Sequence, residues 1–354
     1  MKKGLSLTEL AQKLTAINEA KKDFIVPVEK LSATVNEDNN VCLQFDGVRP
    51  QKLNNWSTGQ LASFAEIPKQ YLDRVSAENP TLAASNINHG LSRKPNDTRM
   101  LRTLDGNVRG LLSSRYRILD SYDMLESVLP TMLEKNMNVV SSEVTENKLY
   151  LKALTPQLKS EITKGDVVQH GLIISTSDVG AGSVRVEPLI YRLVCENGLI
   201  MPSSIRKYHV GKNQAENDIM ELLTDKTREM TDAAFWAQVR DIVNASLRPE
   251  LFEKEVDRLR FAQGLKIENF DLPKVVELAM KATNVTGEIK KNSILAALAS
   301  GNEGAGLTQW GLINSFTRAA QNDAFDYETG IELERAAGQI LELNPNQWRT
   351  IAVA

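Results

Sequence analysis

Apolar residues at Leu7, Leu10, Leu14 and Ile17 recur at spacings of three and four, so residues 6–20 predict a helix with one buried face and Ser6 or Thr8 as its cap. Over residues 30–46 the pattern changes to alternation, with Val41, Leu43 and Phe45 on one side and a turn at Asp46-Gly47, which marks a short hairpin. Helical spacing returns after Trp56, and Pro68 divides residues 61–67 from residues 69–75. This pair reads as a candidate helix-turn-helix exposing Lys69, Gln70, Asp73 and Arg74; two short helices packed on a core give the same pattern. Residues 79–107 are rich in Asn, Ser, Pro, Asp and Arg without sustained periodicity and read as loop with short strands. A helix over residues 120–136 is marked by Met124, Leu125, Val128, Met132 and Leu133.

The centre of the chain is β-patterned. Residues 139–154 form a hairpin turning at Glu146-Asn147, two further strands run over 167–175 and 184–195, and residues 199–210 can add another. Connections this short make the pairing antiparallel. Beyond residue 213 the pattern is helical, with segments at 218–223, 231–246, 249–262, 273–282, 291–299, 307–323 and 328–343. The predicted class is α+β: a central antiparallel sheet over about residues 139–210, flanked by helices, with a helical C-terminal region. Three regions follow: an N-terminal α/β region (1–120) carrying the candidate helix-turn-helix (57–77) and a basic loop (93–117), a β-rich core (121–212), and an acidic helical region (213–354) that can pack with the core as one domain.

Composition changes this picture in only one respect. With 42% hydrophobic and 25% charged residues over 354 positions, the chain is an ordinary globular sequence, which excludes wholesale disorder and fibrous repeats. Cys42 and Cys195 are far apart and lack metal or redox spacing. Apolar runs fall short of a membrane helix, and Met1-Lys2-Lys3 leads into polar residues, so the expectation is a cytoplasmic protein without membrane contact. The net charge of −3, however, hides a gradient: residues 1–120 carry 17 basic and 13 acidic side chains, residues 213–354 carry 15 and 22. The basic excess is concentrated in Arg93, Lys94, Arg99, Arg102, Arg109, Arg115 and Arg117, which face only Asp97 and Asp105. Guanidinium forks match phosphate oxygens, so this segment is a candidate polyanion site, against which stands a solvated face with internal ion pairs.

Candidate chemistry is sparse. Gly180-Ala181-Gly182 lacks the Gly-Lys-Ser/Thr that would follow in a phosphate-binding loop, and its flanks read strand to strand. His89, His170 and His209 have no ligand spacing, so no metal is expected. No nucleotide cofactor is required, and no catalytic residue can be named from spacing. Two stretches are richer in unusual residues than a fold demands. One gathers Ser177, Asp178, Gly180, Arg185, Glu187, Arg192 and Asn197 around the glycine turn, with His209, as a candidate pocket; the other is Arg206, Lys207, Tyr208 and Lys212, a basic strand end with an aromatic inside it. A buried ion pair and a solvated strand end are the plainer readings of the two.

The blocks Trp56-Ser57-x-x-Gln60-Leu61-Ala62, Ile67-Pro68-x-x-Tyr71-Leu72, Ser177-Asp178-Val179-Gly180, Tyr191 to Gly198, Arg206-x-x-His209-x-Gly211 and Leu307-Thr308-x-x-Gly311-x-x-Asn314-x-Phe316-Thr317-Arg318-x-Ala320-Gln321 resemble the phage/plasmid-like protein family classified as domain of unknown function 932. The resemblance covers roughly residues 50–345. Thr176-Ser177-Asp178 stands where many relatives carry Asn-Ser-Glu. The resemblance implies DNA metabolism of mobile elements by setting; a more distant similarity to single-strand annealing proteins of the Rad52/RecT kind implies a sheet-and-helix fold that binds DNA as an oligomer. The expected function is therefore a protein that binds single-stranded DNA and promotes annealing, as a homo-oligomer and with host or phage DNA-processing partners. Phosphates would meet Arg93 to Arg117 and Arg206, Lys207 and Lys212, with Tyr116 and Tyr208 as stacking platforms. The alternatives are an enzyme on nucleic acid or a small phosphorylated ligand working through Asp178, Arg192 and His209, a duplex-binding regulator using residues 57–77, and an inhibitor of host defence acting by protein contact.

Overall fold

The computed structural model describes residues 1–45, 47–202, 225–268, 271–301 and 305–353. The Asp46 turn position, the helix expected at 218–223, and Arg206, Lys207, Tyr208, His209 and Lys212 lie outside the described residues. Among the described residues the fold is α+β with two sheets and 12 helices, the C-terminal region being helical.

The first layer is N-terminal. Helix α1 (Leu7–Ala20), started by a capping box between Ser6 and Glu9, leads into β1 (Lys22–Pro27), β2 (Ser32–Val35), β3 (Val41–Phe45) and β4 (Val48–Leu53). Three helices follow, α2 (Asn55–Phe64), α3 (Lys69–Glu78) and α4 (Pro80–Ser92), then β5 (Thr98–Leu104) and β6 (Asn107–Ser113). The strands order β1-β5-β6-β4-β3-β2; pairing is antiparallel except for a short parallel contact of β4 with β6. Leu61, Ala62, Leu72, Val75, Ala83, Ile87 and Leu91 from α2–α4 pack on Leu43, Phe45, Leu101, Val108 and Leu111 of the sheet.

The second layer begins with α5 (Ser121–Glu134) and continues as a meander, β7 (Asn138–Val144), β8 (Leu149–Glu161), β9 (Val167–Thr176), β10 (Arg185–Arg192) and β11 (Asn197–Ile200), antiparallel throughout in the order β11-β10-β9-β8-β7. This is the central sheet expected from the alternation. Period-two burial gives it two apolar faces. Leu149, Leu151, Ala153, Leu172 and Ile174 face α1, α5 and α6 (Asp225–Ser246), while Tyr150, Leu154, Ile173 and Leu189 face Tyr327 and Ile331. The remaining helices, α7 (Pro249–Gly264), α8 (Leu272–Ala282), α9 (Glu288–Ser300), α10 (Gln309–Ala319), α11 (Tyr327–Leu341) and α12 (Pro345–Val353), close a third cluster around Trp310, Phe316 and Ile340. No helix among the described residues is long and apolar enough to cross a membrane.

Three expectations are corrected. Residues 80–92 are helix α4, not loop: its contacts are Ala83, Ala84, Ile87, Gly90 and Leu91, helically spaced but too small to register as an apolar stripe. The basic segment is not a flexible loop either, since Arg99 and Arg102 lie on β5 and Arg109 on β6. Both strands are buried on two faces, so alternation is absent and polar residues in the interior imitate a loop. Finally α12 was not anticipated.

One buried group ties the second sheet to the helices. His170 on β9 stacks on Phe252, its Nε2 donates to the Ser246 carbonyl at 2.8 Å, and its Nδ1 is buried without a partner. Burial holds its pKa below the ordinary 6.5, the Ser246 bond opposing only in part. The unfolded imidazole takes up a proton below that pH and the folded one does not, so stability is full above about pH 6.5 and declines as pH falls through that value, with a slope approaching ~1.4 kcal/mol per pH unit. Denaturation midpoints between pH 5 and 7 should lose that slope in His170→Phe.

Candidate functional site

The two layers meet at the loop joining β9 to β10. Gly180, at φ +80°, lets the chain turn there, and a Cβ in its place would come within 2.7 Å of Leu112. Ser177 Oγ accepts from the Val179 and Ala181 amides and holds the turn from inside. Five side chains of the first layer then grip its backbone and its carboxylate. Trp56 Nε1 and Gln60 Nε2 both donate to the Val179 carbonyl at 2.8 and 2.9 Å. Tyr116 donates to the Ser177 carbonyl, and burial, followed by the charge of Asp178, pushes its pKa up to about 12. Arg102 Nη1 donates to the Asp178 carbonyl at 2.7 Å and Arg109 Nη1 to Asp178 Oδ2 at 2.9 Å.

Arg102 is the centre of this lock. It is 0% exposed. Its Nε and Nη2 form a fork on Asp23 at 2.9 and 3.0 Å, and Nη2 also reaches Asp120 at 2.8 Å. Burial opposes its charge, yet the Asp23 bond and the Asp120 and Asp178 charges win, leaving its pKa above the ordinary arginine value. Asp120 sits at the N-cap of α5 but caps nothing, because its carboxylate serves Arg102 and Lys21. Burial raises its pKa most, but the charges and hydrogen bonds of Arg102 and Lys21 together outweigh it and leave the pKa lowered.

Arg93, Lys94, Arg99 and Arg117, also expected to meet phosphate, are paired within the protein. Arg93 and Lys94 pair with Glu66 at 3.0 and 2.9 Å, and Arg99 pairs with Asp97 while lying 4.0 Å above the Phe64 ring. Arg117 pairs with Asp232 and covers Phe235; Arg115 is exposed. Tyr116 is turned inward by its bond to Ser177 and does not offer a free stacking face.

The candidate pocket of the sequence reading divides in two. Asp178 lies by the Arg185 end of β10 and Arg192 at the other, roughly 23 Å away along an eight-residue strand. Arg192 donates to Asp166, which also accepts from Trp310 Nε1 at 2.9 Å, and its Nη1 lies 3.3 Å from Cys195 Sγ. Asn197 is held by Gln321. Thr308 caps α10, and a Cβ at Gly311 would fall 2.0 Å from the Gly306 carbonyl oxygen. Glu187 pairs with Arg335 of α11. This second lock fastens β10 and β11 to the C-terminal helices. Near it Lys152 and Glu334, both essentially buried, form an ion pair the sequence did not betray.

Beside the first lock lies a cavity of about 420 Å³, bounded by α1, the start of α5, the β5–β6 turn and the β7–β8 turn. Its lining includes Leu14, Ile17, Asn18, Lys21, Arg109, Asp120, Tyr122, Lys148 and Asp178. Arg109, 9% exposed, spends Nη1 on Asp178 while its Nε and Nη2 are buried with no partner. Lys148 makes no ion pair among the described residues, and burial lowers its pKa. Lys21, Asp120, Tyr122 and Lys148 were all missed in the sequence, where each reads as ordinary helix-end or turn polarity. Among the described residues no group of His, Cys, Asp and Glu could hold a metal.

The class so defined is a two-sheet α+β protein with a charged lock between layers and a cavity of ligand size beside it. Residues 108–340, about two thirds of the chain, match the model of the family described as Domain of unknown function (DUF932), and the chain belongs to that family. No curated protein and no solved structure matches it.

Removing Arg102 would leave Asp23 and Asp120 facing each other with no buried cation between them. Arg102→Met should lower unfolding stability by about 3–5 kcal/mol, whereas Arg93→Met, which breaks an exposed pair, should lower it by under about 1 kcal/mol. Urea midpoints of the two variants check the contrast.

Proposed function

We propose that the protein is a binding module for a small anionic ligand carrying a phosphate or like group, seated in the cavity between α1, α5 and the two turns. The observation that supports this most is the cavity itself, about 420 Å³ with Lys13, Lys21, Arg109 and Lys148 among its lining residues. Lys148 lines the same space and makes no ion pair among the described residues, although the charge of Glu328 favours its protonated form. Arginine supplies the planar fork and lysine the point charge, a common pairing for phosphate.

The polyanion reading of residues 93–117 draws less from the geometry. A strand lying along them would have to displace Glu66, Asp97, Asp23, Asp120, Asp178 and Asp232 from charges they already neutralise. Single-strand binding and annealing, with the oligomer they require, therefore become the competing outcome of one experiment.

Thermal unfolding should shift upward with phosphate and small phosphorylated compounds, by about 2.7 kcal/mol of stabilisation at a hundredfold excess over Kd. Arg109→Gln and Lys148→Gln should each abolish the shift, the second without the loss of stability that the first incurs at Asp178. Tight, salt-sensitive anisotropy of labelled single-stranded DNA that survives both substitutions, with no shift from small phosphates, would transfer the function to strand binding.

A further inference from the structure

We infer that β1 is the contact by which two copies of this chain associate, its open edge pairing antiparallel with the same edge of a second copy about a two-fold axis at Ile25. The inference goes beyond the ligand reading and does not depend on it.

Each sheet ends in two edge strands, and an edge left bare is a template for another strand. Among the described residues three of the four are covered. On β2, the Asn88 side chain of α4 accepts from the Ala33 amide at 2.7 Å and donates to the Ala33 carbonyl at 2.9 Å, as a neighbouring strand would. Residues 2–5 run beside β7, where the Leu5 amide donates to the Ser142 carbonyl and the Ser142 and Ser141 hydroxyls donate to the Leu5 and Lys2 carbonyls. Gly338 of α11 closes on the Ile200 carbonyl of β11. β1 has no such cover. The Val28 amide donates to the Asp97 carbonyl in register with the β1–β5 ladder, so Val26, Phe24 and Lys22 also bond toward β5. Asp23, Ile25 and Pro27 then direct their backbone groups outward, and no described residue pairs with them there. Ile25 is 57% exposed. Asp23 is exposed although its side chain, held by Arg102, is only 24% so, which puts the open surface on its backbone. Pro27, with no amide hydrogen to offer, ends the edge.

The occupant is a second copy because this edge complements itself. With Ile25 opposite Ile25, the two Ile25 amides and carbonyls bond reciprocally, and each Asp23 amide meets the other copy's Pro27 carbonyl. The missing Pro27 amide leaves only the outer Asp23 carbonyls to water. Charge selects the same arrangement. Lys22 precedes the open stretch and Glu29 follows it, both exposed and neither in an ion pair among the described residues. An antiparallel pair centred on Ile25 brings Lys22 of each copy beside Glu29 of the other. A parallel pair sets like against like, and an axis at Asp23 sets the two Asp23 carboxylates together. Within one chain the intervening backbone keeps Lys22 and Glu29 roughly 20 Å apart, so their attraction is spent between copies. The contact is isologous and consumes the open edge, so association stops at two.

Sedimentation equilibrium of the full chain tests this. One short strand per copy is a small contact, so between about 1 and 200 µM the chain should show a monomer–dimer equilibrium with Kd on the order of 10 µM. Ile25→Lys, at an exposed side chain, should weaken dimerisation about ten-fold or more while the circular dichroism spectrum and thermal midpoint stay as they are. Lys22→Glu and Glu29→Lys should each weaken it about five-fold, and the double variant should return to the unmodified Kd, because the reversed pairs attract again. A monomer at every concentration would overturn the second copy as occupant of the edge. A dimer indifferent to Ile25→Lys would place the contact on another surface and overturn the inference. Failure of the double reversal to restore what each single reversal loses would overturn the two-fold register at Ile25.

Discussion

A guanidinium with no access to water holds the two layers together. Burying Arg102 forfeits its hydration, and the interior repays that only because four hydrogen bonds, three of them to carboxylates, meet it in good geometry. The arrangement constrains everything near it. Asp23 must come from β1, Asp120 from the start of α5, and the Asp178 carbonyl from the β9–β10 loop, so three separate stretches of backbone are fixed against β5 at once. The cavity exists because these pieces converge on charge rather than on apolar contact. Its floor is the outer side of the same network.

The family resemblance acquires a physical meaning from this geometry. The block containing Trp56 and Gln60 and the block Ser177-Asp178-Val179-Gly180 are distant in the chain and touching in the fold, through two bonds to one carbonyl. The blocks containing Arg192 and Asn197 and the one running from Thr308 to Gln321 meet in the same way at the far end of β10. Unusual residues in an apolar strand therefore marked two fastenings of one sheet, not one catalytic pocket.

Much of the fold was legible in the sequence because its helices and its central meander are each buried on recognisable faces. The central hairpin, the strands around the glycine turn and the helices from Asp225 to Leu341 follow from spacing. Of the first sheet only the β2–β3 hairpin was legible; β5 and β6 were hidden because they bury polar and apolar residues alike, so Arg102 and Arg109 read as surface charge. Helix α4 was hidden because alanine and glycine do much of its packing beside Ile87 and Leu91. The site was legible only in part. Asp178 stood out by its neighbours, but the partners that define its role lie 69 and 76 residues away, and pairing across such separations leaves no mark in local composition.

Those separations also set an order of events during synthesis. Asp23 precedes Arg102 by 79 residues, whereas Asp178 follows it by 76. At roughly 5–20 residues per second, the ribosome delivers the N-terminal sheet some ~4–15 s before the loop that completes its charge network. During that interval Arg102 has Asp23 and then Asp120, but no carbonyl from the second sheet. The nascent first layer thus waits with its polar interior half satisfied, and final closure of the two sheets belongs to a late step in the life of the chain.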